Sequence, residues 1–217
     1  RNTANGFKTL YNNTTGSYNA ALGSEALYAN TTGYFNTANG FYALNKNTTG
    51  DRNTANGSYS MYNNTTGRLN TATGVDALYT NTTGSSNTAN GFEALHNNTT
   101  GSANIAIGTG ALYSTTTISN LVAIGDSALF NNGIGTSTIY QGVINTAIGS
   151  KALFKNTIGT GNTATGFESM KSNLSGIGNT ASGSESLFSN ISGIFNNAFG
   201  EGAMYDNTTG IYNAAVG

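Results

Sequence analysis

The sequence predicts an all-β fold, a parallel β-solenoid (β-roll or β-helix) of about 12 coils with 17 residues in each. Three observations predict it. A 17-residue stretch, Asn2 to Tyr18, returns at Asn19, Asn36, Asn53, Asn70, Asn87, Asn104, Leu121, Asn145, Asn162, Asn179, Asn196 and Asn213. Counting from the leading residue of each copy, position 3 is Ala and position 5 is Gly in all thirteen copies. Position 9 is Leu or Met in each of the twelve complete copies, from Leu10 and Leu27 to Met204. A chain that repeats one short unit and carries one large apolar side chain per unit buries it by stacking units, not by wrapping a central core.

Each column has a physical reading. The Ala of position 3 points inward where two walls of a thin coil approach. The Gly of position 5 marks a corner that a Cβ would block. Position 8 is small (Thr9, Ala26, Ala43, Ser60, Ala77), so the wall is tight there as well. Leading Asn residues form a ladder, each amide bonding the coil above and below. NTAxG is the predicted strand. The segment around position 9 reads as a second short strand, an irregular stretch or a single helical turn, with strand or irregular structure favoured because 17 residues leave little room for a helix. Asn-Thr-Thr-Gly at positions 12 to 15 is turn chemistry. Position 15 is Gly in every complete copy but one, where Ile118 stands. At about 4.8 Å per coil the stack makes a rod about 60 Å long.

The array covers 1–217 as a single unit, with an irregular coil and insertion around 114–144. There the step from Leu121 to Asn145 is 24 residues, one repeat plus seven. The stretch Thr136 to Ile144 is rich in β-branched residues and reads either as an excursion that docks on a neighbour, with Ile139, Tyr140, Val143 and Ile144 as assembly contacts, or as a tolerated loop. Position 4 is mainly polar before Ile107, and from there Ile107, Ile124, Ile148, Phe199 and Val216 appear, so the second half is more apolar on one face, which points to a contact surface there. The chain opens and closes inside a repeat, without a visible signal peptide or cap. That reads as a piece of a longer array or one whose ends stack on other copies, and both readings point to a filament.

Composition narrows function. Only 8% of residues are charged and the net charge is −1, so there is no electrostatic footprint for nucleic acid. There is no Cys, hence no disulfide framework or thiolate chemistry. No apolar run is long enough to span a bilayer, so this segment is not expected to insert directly into a membrane. The one His, His96, stands at position 10 among Tyr11, Tyr28, Tyr62, Tyr79, Tyr113, Phe130, Phe154, Phe188 and Tyr205, and reads as part of an aromatic ladder. Glu25, Glu93, Glu168 and Glu185 share position 7 with Asp76, Lys8 and Lys151, and read as a solvated stripe. No enzymatic activity, metal site or cofactor is expected.

Two repeated polar columns carry chemical signals. Asn-x-Thr/Ser stands at position 12 in Asn13, Asn30, Asn47, Asn64, Asn81, Asn98, Asn173, Asn190 and Asn207. At an exposed corner this would be a row of N-glycosylation sites; the alternative is that Asn and Thr are good turn formers. Thr at position 2 (Thr3, Thr37, Thr54, Thr71, Thr88, Thr146, Thr163, Thr180), in several coils with Asn or Thr two residues on, makes a grid suited to ice or carbohydrate, interrupted at Ala20, Ile105, Val122, Asn197 and Ala214.

The runs NTAIGSKALFKNTIG (Asn145 to Gly159), NTANGFEALHNNTTG and NAALGSEALYANTTG, with their xAIG cores at Ile105–Gly108 and Val122–Gly125, resemble the head repeats of trimeric autotransporter adhesins. Similar arrays occur in bacterial surface and phage tail-fibre proteins. The resemblance covers the whole chain and implies a left-handed parallel β-roll, often trimeric, exposed on a cell surface and used for adhesion. This sequence departs from it in its longer period, its Asn-Thr-Thr-Gly turns and its polar residues at position 4. The expected function is an extracellular structural or adhesive segment of a surface fibre. Its expected partners are other copies, in a filament or homotrimer, and a host-surface or carbohydrate ligand. The alternative is a ligand-binding solenoid, for ice or carbohydrate, using the Thr/Asn face.

Overall fold

In the computed structural model, which describes residues 1–217, every copy of the repeat forms one coil of a β-solenoid. Each coil contributes one short strand: β1 (Asn2–Asn5), β2 (Asn19–Leu22), β3 (Thr37–Asn39), β4 (Thr54–Asn56), β5 (Thr71–Thr73), β6 (Thr88–Asn90), β7 (Ile105–Ile107), β8 (Val122–Ile124), β9 (Thr146–Ile148), β10 (Thr163–Thr165), β11 (Thr180–Ser182), β12 (Asn197–Phe199) and β13 (Ala214–Val216). They pair in parallel, in sequence order, as one 13-stranded sheet. Partners lie one repeat apart, as Thr54 beside Thr71, except that Val122 pairs with Thr146 across the insertion.

The core is a single column. Ala of position 3, the small residue of position 8 and Leu or Met of position 9 are buried together, with Leu27, Leu44, Met61 and Leu78 among the fully enclosed side chains. Burying each Leu contributes roughly 1.5–3 kcal/mol. The glycine of position 5 is required where coils touch. At Gly57, with φ +143°, a Cβ would lie only 2.4 Å from the carbonyl oxygen of Gly74 in the next coil.

The segment around position 9 forms neither a helix nor a second strand. It is a run of turns with positive φ at positions 7 and 9, as in Glu25 (φ 54°) and Leu27 (φ 51°). L-residues resist this conformation by roughly 1–2 kcal/mol each. The flipped peptides point their N–H groups along the axis instead. Leu27 N donates to Ala43 O in the next coil at 3.0 Å, and Glu25 N to Phe7 O in the previous one at 2.8 Å. Of 152 backbone hydrogen bonds only 25 lie within the strands, so most of the stack is held through its turns and corners. A second short ladder appears at position 16 of the last coils, where Thr160, Ile177, Ile194 and Ile211 pair in parallel.

The insertion corrects one assignment. Position 15 of the eighth copy is Gly142, not Gly135. Asn132 donates to Gly142 O at 3.0 Å, as the position-12 asparagines do to the position-15 glycine in regular coils, and Asn145 of the next coil adds a second bond to it at 3.1 Å. Ile144, at φ 56°, then takes the position-17 conformation of Phe35.

Candidate functional site

The strand alternates one buried Ala between two outward residues, so positions 2 and 4 form a flat outer face along the sheet. Thr37, Thr54, Thr71 and Thr88 stand in register there, with Asn39, Asn56, Thr73 and Asn90 beside them. These threonine hydroxyls make no hydrogen bond within the chain. At position 13 the threonines are spent on structure: the hydroxyls of Thr31, Thr48, Thr65 and Thr82 donate to the carbonyl at the same position of the next coil, at 2.9–3.0 Å. The grid read from the sequence is therefore present and its hydroxyls face solvent. It spans β3 to β6, gives way to Ile105, Ile107, Val122 and Ile124 in β7 and β8, and resumes with Thr146, Thr163 and Thr180 in β9 to β11.

The aromatic column is continuous over six coils. Tyr62, Tyr79, His96, Tyr113, Phe130 and Phe154 stack with centroids 5.4, 5.2, 5.1, 4.9 and 5.5 Å apart. Their faces are turned to one another along the axis and only their edges reach solvent, so the column does not offer ring faces to a sugar. His96 sits inside it, with Nδ1 3.0 Å from Asn97 Oδ1. Partial burial in the column, with Tyr62 and Asp76 adding, holds the Tyr79 phenol above its ordinary value.

The position-12 asparagines correct the expectation of an exposed corner. Asn30, Asn47, Asn64, Asn81, Asn98, Asn173 and Asn190 are fully buried, and Asn13 and Asn207 are partly so. Each amide nitrogen in the middle of the run makes two bonds. Asn64 Nδ2 donates to Asn47 Oδ1 at 2.8 Å and to Gly67 O at 3.1 Å. An N-linked sugar on such a nitrogen has no room in the folded coil. The leading asparagines form a second buried ladder. Asn53 Nδ2 donates to Gly67 O, while Asn53 Oδ1 accepts the backbone N–H of Asn70. That ladder matches the expectation in kind, with part of each bond going to the backbone.

The position-7 stripe is not uniformly solvated. The Glu168 side chain is only 12% exposed and pairs with Lys171 at 2.8 Å and Lys151 at 4.0 Å. Sequence reasoning missed a second charged group. Asp51 is buried at position 16 and holds Arg52 at 2.7 Å and Arg68 at 3.4 Å, with Arg52 over the Tyr34 ring. The signal for it was three charges on neighbouring coils in a chain with few. Of the expected contact residues, Ile139, Tyr140 and Ile144 are 81%, 76% and 70% exposed, while Val143 packs against the core.

Compared with known proteins, the chain matches no family model, and no curated protein is significantly similar to it.

Proposed function

We propose that this chain is a stiff structural segment of an extracellular fibre, a rod that holds an adhesive surface away from its base. The observation that carries the reading is the unbroken register of the coils. The sheet runs from β1 to β13 without a gap, and the seven-residue insertion is looped out without interrupting it. Stiffness along the axis is built in by repetition, because each coil bonds only its neighbours. Self-association into a filament or homotrimer, a cell-surface location and the kinship with adhesin heads belong to this reading, and the whole-chain repeat resemblance supports them. Immunogold labelling of intact producing cells tests it. Label on surface filaments is the expected result; label confined to the cell interior overturns it.

A second reading has its own observation. The solvent-facing Thr/Asn grid of β3 to β6 is flat and regular, as a face that binds ice or a crystalline polysaccharide needs to be. Thermal hysteresis that disappears in a Thr54→Lys/Thr71→Lys variant would establish it.

A further inference from the structure

The seventh and eighth copies depart from the repeat separately in sequence, but the departures meet in space. The Ile118 side chain lies under the insertion, its Cδ1 2.9 Å from where a Cβ would sit on either Gly133 or Gly142. Above it the chain from Thr136 to Gln141 stands off the coil. Between this excursion and the corner at Thr117 to Asn120 lies a groove of about 520 Å³, within the roughly 300–1,000 Å³ typical of small-molecule sites.

The groove is already shaped. Gln141 Oε1 accepts the backbone N–H groups of Ser137 and Thr138, at 2.7 and 3.3 Å, which closes the tip of the excursion. The Thr160 hydroxyl donates to Tyr140 O at 2.9 Å and ties it to the next coil. The neck is fixed by Asn132 and Asn145 on Gly142 O. Binding here would cost little ordering of the loop.

The lining has a definite chemistry. No charged residue borders the groove. Ile118, Ile139, Val143 and Ile144 give aliphatic surface. The side chains of Thr117, Asn120 and Thr138, and the Gln141 amide nitrogen, make no hydrogen bond within the chain and offer both donors and acceptors.

We propose that this groove binds a short neutral saccharide, about two or three sugar units by its volume. A sugar pairs hydroxyls that donate and accept with apolar C–H faces, and both halves of that chemistry are on the walls. An acidic ligand or a nucleotide would find no cation. A purely apolar ligand would leave the amides and hydroxyls unpaired. The site is separate from the Thr/Asn sheet face and from the rod's placement on a cell.

Saturation-transfer NMR on the whole chain tests it, with cellobiose, maltotriose, lactose and N,N′-diacetylchitobiose at millimolar concentration. The expected result is transfer to at least one of them. Asn120→Ala should weaken that binding tenfold or more. Deleting Ile134 to Tyr140 leaves Asn132-Gly133-Gln141-Gly142, a corner of regular length, and should abolish binding. A Thr54→Ala/Thr88→Ala variant of the sheet face should bind like the parent chain. No transfer from any neutral saccharide overturns the proposal. So does transfer that persists in the deletion variant, or transfer only to digalacturonate. Should the deletion variant fail to fold by circular dichroism, the exposed Asn120→Ala change decides alone. Surface labelling of cells is unaffected by any of these outcomes, so the two readings fail separately.

Discussion

Asn98 Oδ1 is the one buried side-chain nitrogen or oxygen without a hydrogen-bond partner, and Thr115 is the residue that leaves it so. Along the rest of the run each position-12 Oδ1 accepts from the asparagine of the following coil, as Asn81 Oδ1 does from Asn98. Thr115 stands where that asparagine would be, and its hydroxyl turns instead to Asn132 O. Ile118 explains why the gap persists. In regular coils a Cβ on the position-15 glycine would lie 2.2–2.5 Å from the position-12 Oδ1 of the same coil, as at Gly84 with Asn81. Asparagine at position 12 therefore requires glycine at 15, and the seventh copy gave up both.

This coupling is testable by a double-mutant cycle. Thr115→Asn alone should destabilise the protein, because the new amide meets the Ile118 Cβ. Thr115→Asn with Ile118→Gly should satisfy Asn98 and be better than the sum of the single changes by about 1–3 kcal/mol in urea denaturation.

The buried ladders make position 12 costly to alter. Asn64→Ala removes the donor to Asn47 and Gly67 and the acceptor for Asn81. It should cost about 1–3 kcal/mol by chemical denaturation, whereas Asn63→Ala next to it, on the surface, should cost less than about 0.5 kcal/mol. Peptide mapping of folded protein made in a glycosylating host should find Asn30, Asn47, Asn64 and Asn81 without sugar.

Backbone conformation sets opposite outcomes for two substitutions. Glu93 has φ 56°, and glycine already occupies the same place one coil on, at Gly110 with φ 62°. Glu93→Gly should leave stability unchanged or raise it by about 0.5–1 kcal/mol, since the strain relieved exceeds the entropy lost. Gly57→Ala should prevent the coils from closing, and a thermal melt followed by circular dichroism would show a lower or absent transition.

The Asn-Gly pairs on the sheet face should resist deamidation. The reaction needs the glycine nitrogen to attack the asparagine side chain. In Gly40, Gly57 and Gly91 that N–H is donated to Leu22, Asn39 and Thr73 of the previous coil, each at 2.8 Å. Peptide mapping after warm alkaline incubation should find Asn39, Asn56 and Asn90 intact in folded protein and converted in urea-unfolded chain. Reaction waits on local opening, and these bonds lie in the stack's interior coils.

Much of the fold was legible because the repeat is strict. The 17-residue spacing placed each strand beside the next, and the Ala38 and Leu44 columns named the core. The direction of Asn47 was not legible. Asn-Thr-Thr reads equally as a turn or a sequon, and what buries the amide is the neighbouring coil, which a single copy does not contain. The departure of Thr115 and Ile118 together was the available signal, since a freely exposed asparagine would not need its glycine. The insertion was misregistered for a simpler reason: Gly133, Gly135 and Gly142 all offer turn chemistry, and only the bonds from Asn132 and Asn145 choose among them. The groove depends on the side chain of Ile118 meeting a loop some twenty residues on, and no local pattern announces it.

Both asparagine ladders run one way. In each, a later coil gives a proton to the side-chain oxygen of the coil before it, as Asn47 to Asn30 and the Asn53 backbone to Asn36. Within these two ladders, a section across the rod leaves side-chain oxygens on one cut surface and N–H groups on the other. Two lengths of such a rod can be rejoined head to tail with the ladders continuous, while head-to-head joining sets oxygen against oxygen. A fibre assembled from these coils has a direction, and grows chemically unlike tips.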